Sequence, residues 1–539
     1  MRTLATREMS RVKTLVGAIL AVVLVSCAPA AQTSGSPAPA GSATPHTGGT
    51  LNVALSQYVS PLDMIRMTAN QTTLAAIMYE TLYEQKADGS VVPWLAANTK
   101  VSSDALTWTL TLRSGVKFHD GTPFDAQAVK WNLDVRKTFP TFTLKSQMKP
   151  IKDVTVVDSH TVQLDLSAPT PALSVILASP LFSMESPTAW QKYSTADEYQ
   201  RHAAGTGPFK LEGVPSEANT TFVRNDDYWG PKPYLDKIVC RLISDPSARI
   251  AALEAGDVNL AETLPDSEYA RLKAEAGITV DTTSVPASQI ALWFNFASPL
   301  TKQKEVREAI AEALDRDAYR SILKELGAAP PQSIVPQQFR GNAQQSKKYP
   351  YDLAKAKELL ASAGVKPGTP IQVILQNTPQ VYLDLGQLVK QDLDKLGFQT
   401  DLRFTDISGW LADMTLPAAK SADRWQLSIA QEGASYLDAE AILFRFFPTS
   451  ADAPKGSNWT HYSNPQVDQL LAQQAKTVDA VERDKLLGQI QEILWNDLAG
   501  YPLLASKVYY AHSASVHGIE VVYLRPAFLR YNAAWIEPK

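Results

Sequence analysis

Cysteine is almost missing from this 539-residue chain, which carries only Cys27 and Cys240. Two thiols so far apart exclude the disulfide framework of a small secreted scaffold. Long apolar runs are scarce too. One stretch, Leu15 to Val25, approaches a membrane span, and its eleven residues fall short of one, which excludes a polytopic membrane protein. Neither sign of charge is in excess: 51 Lys and Arg stand against 55 Asp and Glu, for a formal charge of −4. That balance gives no basic surplus for nucleic acid and no acidic solvating tail. Familiar catalytic motifs are also absent. The sequence has no H-E-x-x-H, no G-x-S-x-G and no glycine-rich phosphate loop. Its seven histidines, His46, His119, His160, His202, His461, His512 and His517, form no cluster with cysteine, so no metal site is expected. What remains is a 45% hydrophobic, 20% charged chain with a sizeable core. Its length suits three or four domains, or one large two-lobed body.

The amino-terminal segment reads as an export signal. Arg2, Arg7, Arg11 and Lys13 precede the apolar run, which ends Leu24-Val25-Ser26-Cys27. Small residues before a cysteine at that place resemble the bacterial lipobox, in which the cysteine becomes the acylated first residue. On this reading residues 1–27 form a lipoprotein signal peptide and Cys27 is the lipid attachment point. Removing that segment takes away four basic side chains and one acidic one, which moves the formal charge from −4 to −7. Residues 28–47 are nearly all Ala, Pro, Ser, Gly and Thr, a composition that cannot bury apolar area and so reads as a flexible tether. Cys240, beside Ile238, Val239 and Leu242, is expected in a buried strand as a structural thiol rather than a nucleophile.

The folded body begins near residue 48. Alternation predicts strands at 50–55, 106–112, 155–157, 161–166 and 219–223, with helices over 70–83 and 126–136. A strand at 235–243 is expected to pair with the 290–296 region. From about residue 300 amphipathic helices take over, at 304–326, 352–363, 380–396, 464–477 and 480–498. Strands at 371–376 and 425–430 separate them, and 507–535 returns to β character. Helices alternating with short apolar strands imply an α/β body. His119-Asp120 lies in a strand-to-turn sequence with no nucleophile assigned to it, so turn chemistry is expected there rather than catalysis.

A series of motifs then runs in order along the body. Gly49-Thr50-Leu51, Leu62-Asp63 and Tyr79-Glu80 open it, followed by Pro93-Trp94-Leu95-Ala96 and the stretch Ser103 to Leu110. Leu112 to Phe124, LRSGVKFHDGTPF, comes next, then Gly205-Thr206-Gly207-Pro208-Phe209 and Tyr228-Trp229-Gly230. Phe294-Asn295-Phe296, Val306 to Ile310 and His461-Tyr462-Ser463-Asn464-Pro465 complete the series. Together these resemble the extracellular solute-binding proteins of family 5, the peptide- and nickel-type binding proteins of ABC importers.

The resemblance implies an α/β, periplasmic-binding-protein-like two-lobed clam-shell with an extra subdomain inserted in the first lobe. The main part of lobe I is expected at 48–87, 204–288 and 506–539, the inserted subdomain at 88–203 and lobe II at 289–505. It further implies a monomeric extracytoplasmic receptor, lipid-anchored to the bacterial cell membrane, which holds a small solute between closing lobes and delivers it to an ABC permease. An oligopeptide-like ligand is expected. The alternatives are a saccharide, opine or metal chelate on the same fold and, more remotely, a secreted hydrolase. No enzyme activity, cofactor, metal or nucleic acid is expected.

Most of the motif string reads as scaffold, so ligand contacts are sought elsewhere. Asn295 matches a polar position beside the ligand in the family, and Asn70, Gln71 and Thr72 precede a helix where a cleft-facing group is often placed. In the family's peptide binders an acidic residue three places before the aspartate of an Asp-Pro pair anchors the peptide's amino terminus. Here Asp438 fits the aspartate, Ala439 replaces the proline and Ser435 stands at the anchoring position. A serine cannot supply the charge-assisted bonds an ammonium favours. Glu432, Tyr436 and Asp438 are candidate substitutes, and Trp410 is a candidate aromatic contact, with Trp425 and Trp459 nearby.

Overall fold

The structure, a computed structural model, describes residues 44–57, 62–66, 74–86, 88–282, 288–323, 329–378, 380–432, 434, 436–506, 509–522 and 528–538. Residues 45–539 form one compact unit. Cys27, and with it the expected lipid attachment, lies outside the described residues.

Three sheets organise the body. The first has seven strands, in the order Ile278–Thr282, Tyr509–Ser513, Leu260–Ala261, Thr50–Leu55, Lys237–Leu242, Thr220–Arg224 and Phe209–Glu212. The second has five, in the order Gln399–Thr405, Pro370–Gln376, Leu427–Glu432, Ser288–Phe294 and Gly500–Ser506. The third is a four-stranded antiparallel sheet of Ala96–Val101, Thr107–Leu112, Thr161–Leu166 and Ile151–Asp158. The chain passes from the seven-stranded to the five-stranded sheet between Thr282 and Ser288, and returns between Ser506 and Tyr509.

The alternation read in the sequence sets the strand faces. Trp108, Leu110 and Leu112 point into the core of the four-stranded sheet with Val162, Leu164 and Leu166 from the neighbouring strand, while the threonines between them do not. Ser288–Phe294, buried at all seven positions, runs between two antiparallel neighbours inside the five-stranded sheet. Asp125 caps the helix Ala126–Thr138 by accepting from the Ala128 amide at 2.9 Å, and Asp479 caps Ala480–Asn496 in the same way.

Three expectations are corrected. Lys237–Leu242 pairs in parallel with Thr50–Leu55 and antiparallel with Thr220–Arg224, not with the 290–296 region. The 288–294 strand is instead occupied on both edges by Leu427–Glu432 and Gly500–Ser506. The helix read over 70–83 is, among the described residues, only Ala75–Met78, and Tyr83–Gln85 is a strand. The Leu82 carbonyl accepts from the Trp94 and Ala96 amides at 3.1 and 2.9 Å, which pulls the chain into β pairing. The helix read over 304–326 is two helices, Lys304–Ala313 and Arg316–Ile322. Leu314 is extended between them, and Asp315 caps the second by accepting from the Ala318 amide at 2.9 Å.

Cys240 is buried, and burial, followed by the nearby Glu262, pushes its thiol well above the usual range. Among the described residues no helix is long and apolar enough to cross a membrane.

Candidate functional site

The motif string converges on one buried carboxylate. Glu80 Oε1 accepts from Trp94 Nε1 at 2.8 Å and from the Tyr228 hydroxyl at 2.7 Å. Its Oε2 accepts from the Thr206 hydroxyl and from Trp229 Nε1, both at 2.8 Å. Four segments scattered over 150 residues thus meet at a single side chain. Burial raises the Glu80 pKa, and the four donors oppose that rise.

The glycines beside Thr206 let the backbones touch. The Gly207 amide donates to the Met78 carbonyl at 3.0 Å, and a Cβ at Gly205 would lie 2.1 Å from that same oxygen. His119 reinforces the seam. Its Nδ1 accepts from the Gly205 amide at 3.3 Å and its Nε2 lies 3.0 Å from the Gly207 carbonyl, an arrangement that suits the neutral Nε2–H tautomer. Burial lowers the His119 pKa to about 4, in agreement. Asp120 accepts from Thr122 and Ser186 and closes the turn. These residues are scaffold.

Two cavities of about 520 Å³ each open on this body. The first is walled by Thr143, Gln147 and Thr170 on one side and by Tyr436, Glu440 and Arg445 on the other. Gln147 hydrogen-bonds the Tyr436 phenol across it. The second lies between Asp88, Ser90 and Ser174 and the residues Gln337, Gln338 and Arg340. The Arg340 amide donates to the Leu437 carbonyl at 3.1 Å, and the Ala439 amide donates back to the Arg340 carbonyl at 2.8 Å. The stretch 436–440 therefore lines the first cavity and is bonded through its backbone to Arg340, which lines the second.

Charge on this wall is organised by Arg483. Its guanidinium grips both oxygens of Asp438, at 2.7 and 2.9 Å, with neither side chain exposed. It also donates to Glu440 Oε2 at 3.0 Å and to Gln474 Oε1 at 3.0 Å. Burial, then the Asp438 charge, raises the Glu440 carboxyl to about 7. Glu440 is the acidic side chain of this network that lines the cavity.

Of the residues singled out in the sequence, Tyr436 lines the cavity. Three others are put to different use. Asn295 is completely buried. Its Nδ2 donates to the Ser421 and Trp425 carbonyls at 3.0 and 2.9 Å, and its Oδ1 accepts from the Ala297 amide at 2.9 Å. Trp410 is buried, donates from Nε1 to the Ser428 hydroxyl at 3.0 Å and packs edge-on against Trp459 at 5.4 Å. Asp438 spends both oxygens on Arg483. In this structure the polar atoms of all three have internal partners. Asn70, Gln71, Thr72 and Ser435, and the Glu432 side chain, lie outside what the structure describes.

Glu440, Arg445, Gln147 and Arg483 were missed by the sequence reading. One signal pointed to Arg483: it shares a helical face with Leu486, Leu487 and Ile490, and a cation on an apolar stripe needs a buried partner. Among the described residues no three His, Cys, Asp or Glu side chains gather as a metal-holding group.

Two large mixed sheets joined by two chain crossings, a third antiparallel sheet and a cavity with polar lining suit a two-lobed solute-binding protein. The comparisons with known proteins agree. A family model for bacterial extracellular solute-binding proteins, family 5, matches residues 90–454. The glutathione-binding protein GsiB of Escherichia coli O1:K1 / APEC is 32% identical over 460 residues, which covers 84% of this chain and 89% of that protein. The periplasmic binding protein DppA of Helicobacter pylori, solved with the peptide STSA, superposes with a TM-score of 0.74 at 25% identity, covering 92% of this chain and 99% of that one. The fold is shared as well by NikA of Brucella suis, solved with Fe(III)-EDTA, with a TM-score of 0.79 at 24% identity over 91% of this chain and all of that one. The chain belongs to the bacterial extracellular solute-binding proteins, family 5. Its relatives are extracytoplasmic receptors that bind a solute for an ABC importer, not enzymes.

Proposed function

We propose that this protein captures a short peptide-like zwitterion in the cavity beside Tyr436 and presents it to an ABC permease. The observation that carries the reading is the cavity wall, where the Glu440 carboxylate and the Arg445 guanidinium both line the same space of about 520 Å³. A space of several hundred Å³ suits a small ligand. An acid and a base on one wall complement an ammonium and a carboxylate. Glu440 takes over the ammonium partner that Ser435 cannot provide. Lobe I comprises 48–87, 204–288 and 506–539 with the inserted subdomain 88–203, and lobe II comprises 289–505. Ligand contacts made from both sides favour closure, and the permease recognises the closed state. Asn70, Gln71, Thr72, Glu432 and Ser435 remain further ligand contacts of the proposal. The GsiB relative binds glutathione, itself a small peptide, which suits the same chemistry. The protein acts as a monomer, catalyses no reaction and is held at the membrane by a lipid on Cys27.

Mass spectrometry of the molecule released from purified protein by denaturation tests the ligand class. Short peptides or a single peptide-like thiol are expected, and a sugar or a metal chelate would refute the reading. Glu440→Gln is expected to weaken ligand binding about ten-fold, roughly 1.4 kcal/mol. Because the carboxylate is the form that meets an ammonium, affinity should rise with pH through about 7, and the variant should flatten that rise.

A further inference from the structure

A second polar depression of about 390 Å³ lies on the seam between the four-stranded subdomain and the seven-stranded sheet, and shares no lining residue with the cavities described above. Lys192, Arg201, His202 and Lys210 line it with Thr122 and Asp120. Four elements bring them together: the turn after His119, the helix Pro187–Lys192, the segment leading into Gly205 and the strand Phe209–Glu212.

None of Lys192, Arg201 or Lys210 has an ion-pair partner among the described residues, and the nearby carboxylates are engaged elsewhere. Asp120 accepts from the Thr122 amide at 3.0 Å, and from the Thr122 and Ser186 hydroxyls. Glu212 binds Lys237 at 2.8 Å, and Glu198 accepts from the Thr195 hydroxyl at 3.0 Å. His202 is held as a platform by stacking on Tyr193, with ring centroids 3.8 Å apart and planes within 13°, while Lys192 Nζ lies 5.1 Å from the same Tyr193 ring. Gathering three cations around the single lining carboxylate of Asp120 leaves an excess of positive charge and costs mutual repulsion, all the more notable in a chain with a net formal charge of −4. An anion seated among them reverses the sign of that cost. Lysine and arginine together suit phosphate oxygens, the arginine in a forked geometry and the lysines as point charges.

We propose that this depression is an anion site for a phosphate group, separate from the solute cleft. A phosphate bound there bridges the inserted subdomain, through Lys192 and Arg201, to the main sheet, through Lys210.

Calorimetric titration of the full chain carrying Cys27→Ser, which cannot be acylated, tests the site with two probes at constant ionic strength set by chloride. The probes are inorganic phosphate and vesicles of phosphatidylglycerol mixed with phosphatidylcholine. Saturable binding of free phosphate identifies a soluble phosphate as the source. Binding of the phosphatidylglycerol vesicles without free phosphate identifies a lipid headgroup. In either case the triple variant Lys192→Gln, Arg201→Gln, Lys210→Gln should weaken binding at least ten-fold, keep the parent's circular dichroism and leave occupancy of the solute cleft unchanged. Lys210→Arg should retain binding. Absence of saturable binding by both probes, or a triple variant that binds like the parent, would overturn the proposal.

Discussion

Glu80 and Asp438 are both buried carboxylates at junctions of the fold, and the chain satisfies them in opposite ways. Glu80 sits among four neutral donors, two indoles, a phenol and a hydroxyl, with no cation bonded to it among the described residues. Asp438 is gripped by a guanidinium that also holds Glu440. Neutral donors fix a geometry with little dependence on salt or pH, which suits a hub that ties distant segments of scaffold. A cation shared between two carboxylates leaves one of them adjustable, and the one on the cavity wall is Glu440. The difference separates a residue that holds the body together from one that lines a cavity.

The largest effect should come from breaking the charged member of this pair. Arg483→Met leaves Asp438 and Glu440 buried without their cation and should cost about 3–5 kcal/mol in urea unfolding. Adding Asp438→Asn should return part of that loss, and a loss below about 1 kcal/mol would erase the contrast between the two carboxylates. Glu80→Gln comes next, at about 2 kcal/mol, because its amide group faces hydrogen-bond donors where an oxygen stood. That loss should be the same at low and high salt. Asn295→Ala should cost about 2 kcal/mol of stability through the unpaired Ala297 amide and the Ser421 and Trp425 carbonyls, with ligand affinity unchanged. Weakened binding in a fully stable variant would return Asn295 to the site.

The last comparison concerns pH. Glu185 and Glu262 are each raised to about 8, chiefly by burial, so the folded state retains protons there that the unfolded chain has released. Their contribution to stability is complete below the usual carboxylate pKa and is lost as pH rises through about 8. His119, lowered to about 4, runs the other way: its contribution is present above the usual imidazole pKa and is lost as pH falls through about 4. Urea midpoints measured between pH 5 and pH 9 should therefore fall toward the alkaline end, and Glu185→Gln should shallow that slope.

Much of this architecture was legible in the residues. The alternation at 107–112 and 161–166, the cap at Asp125, the helix 380–396 and the buried strand around Cys240 follow from local pattern, which local physics sets. Strand partners were not legible, since 235–243 reads equally well beside any apolar neighbour. The helix read through Asp315 failed because amphipathic spacing on both sides hid an extended residue at Leu314. The motifs were visible but their purpose was not. No local feature of Glu80, Trp94, Thr206, Tyr228 or Trp229 says that they meet. The proposed site was the least legible part. Its acid stands five residues after Ser435, at Glu440, and part of its opposite wall, Gln147, comes from a different subdomain.

The strand Tyr509–Ser513 has a consequence for the life of the chain. It lies between Ile278–Thr282 and Leu260–Ala261, partners synthesised more than 220 residues earlier. Until those late residues emerge, the seven-stranded sheet is split and Ile278–Thr282 has no neighbour in it. Contacts so distant in sequence form slowly and late. This ordering is a built-in delay: the seven-stranded sheet is completed only when the last tenth of the chain joins it.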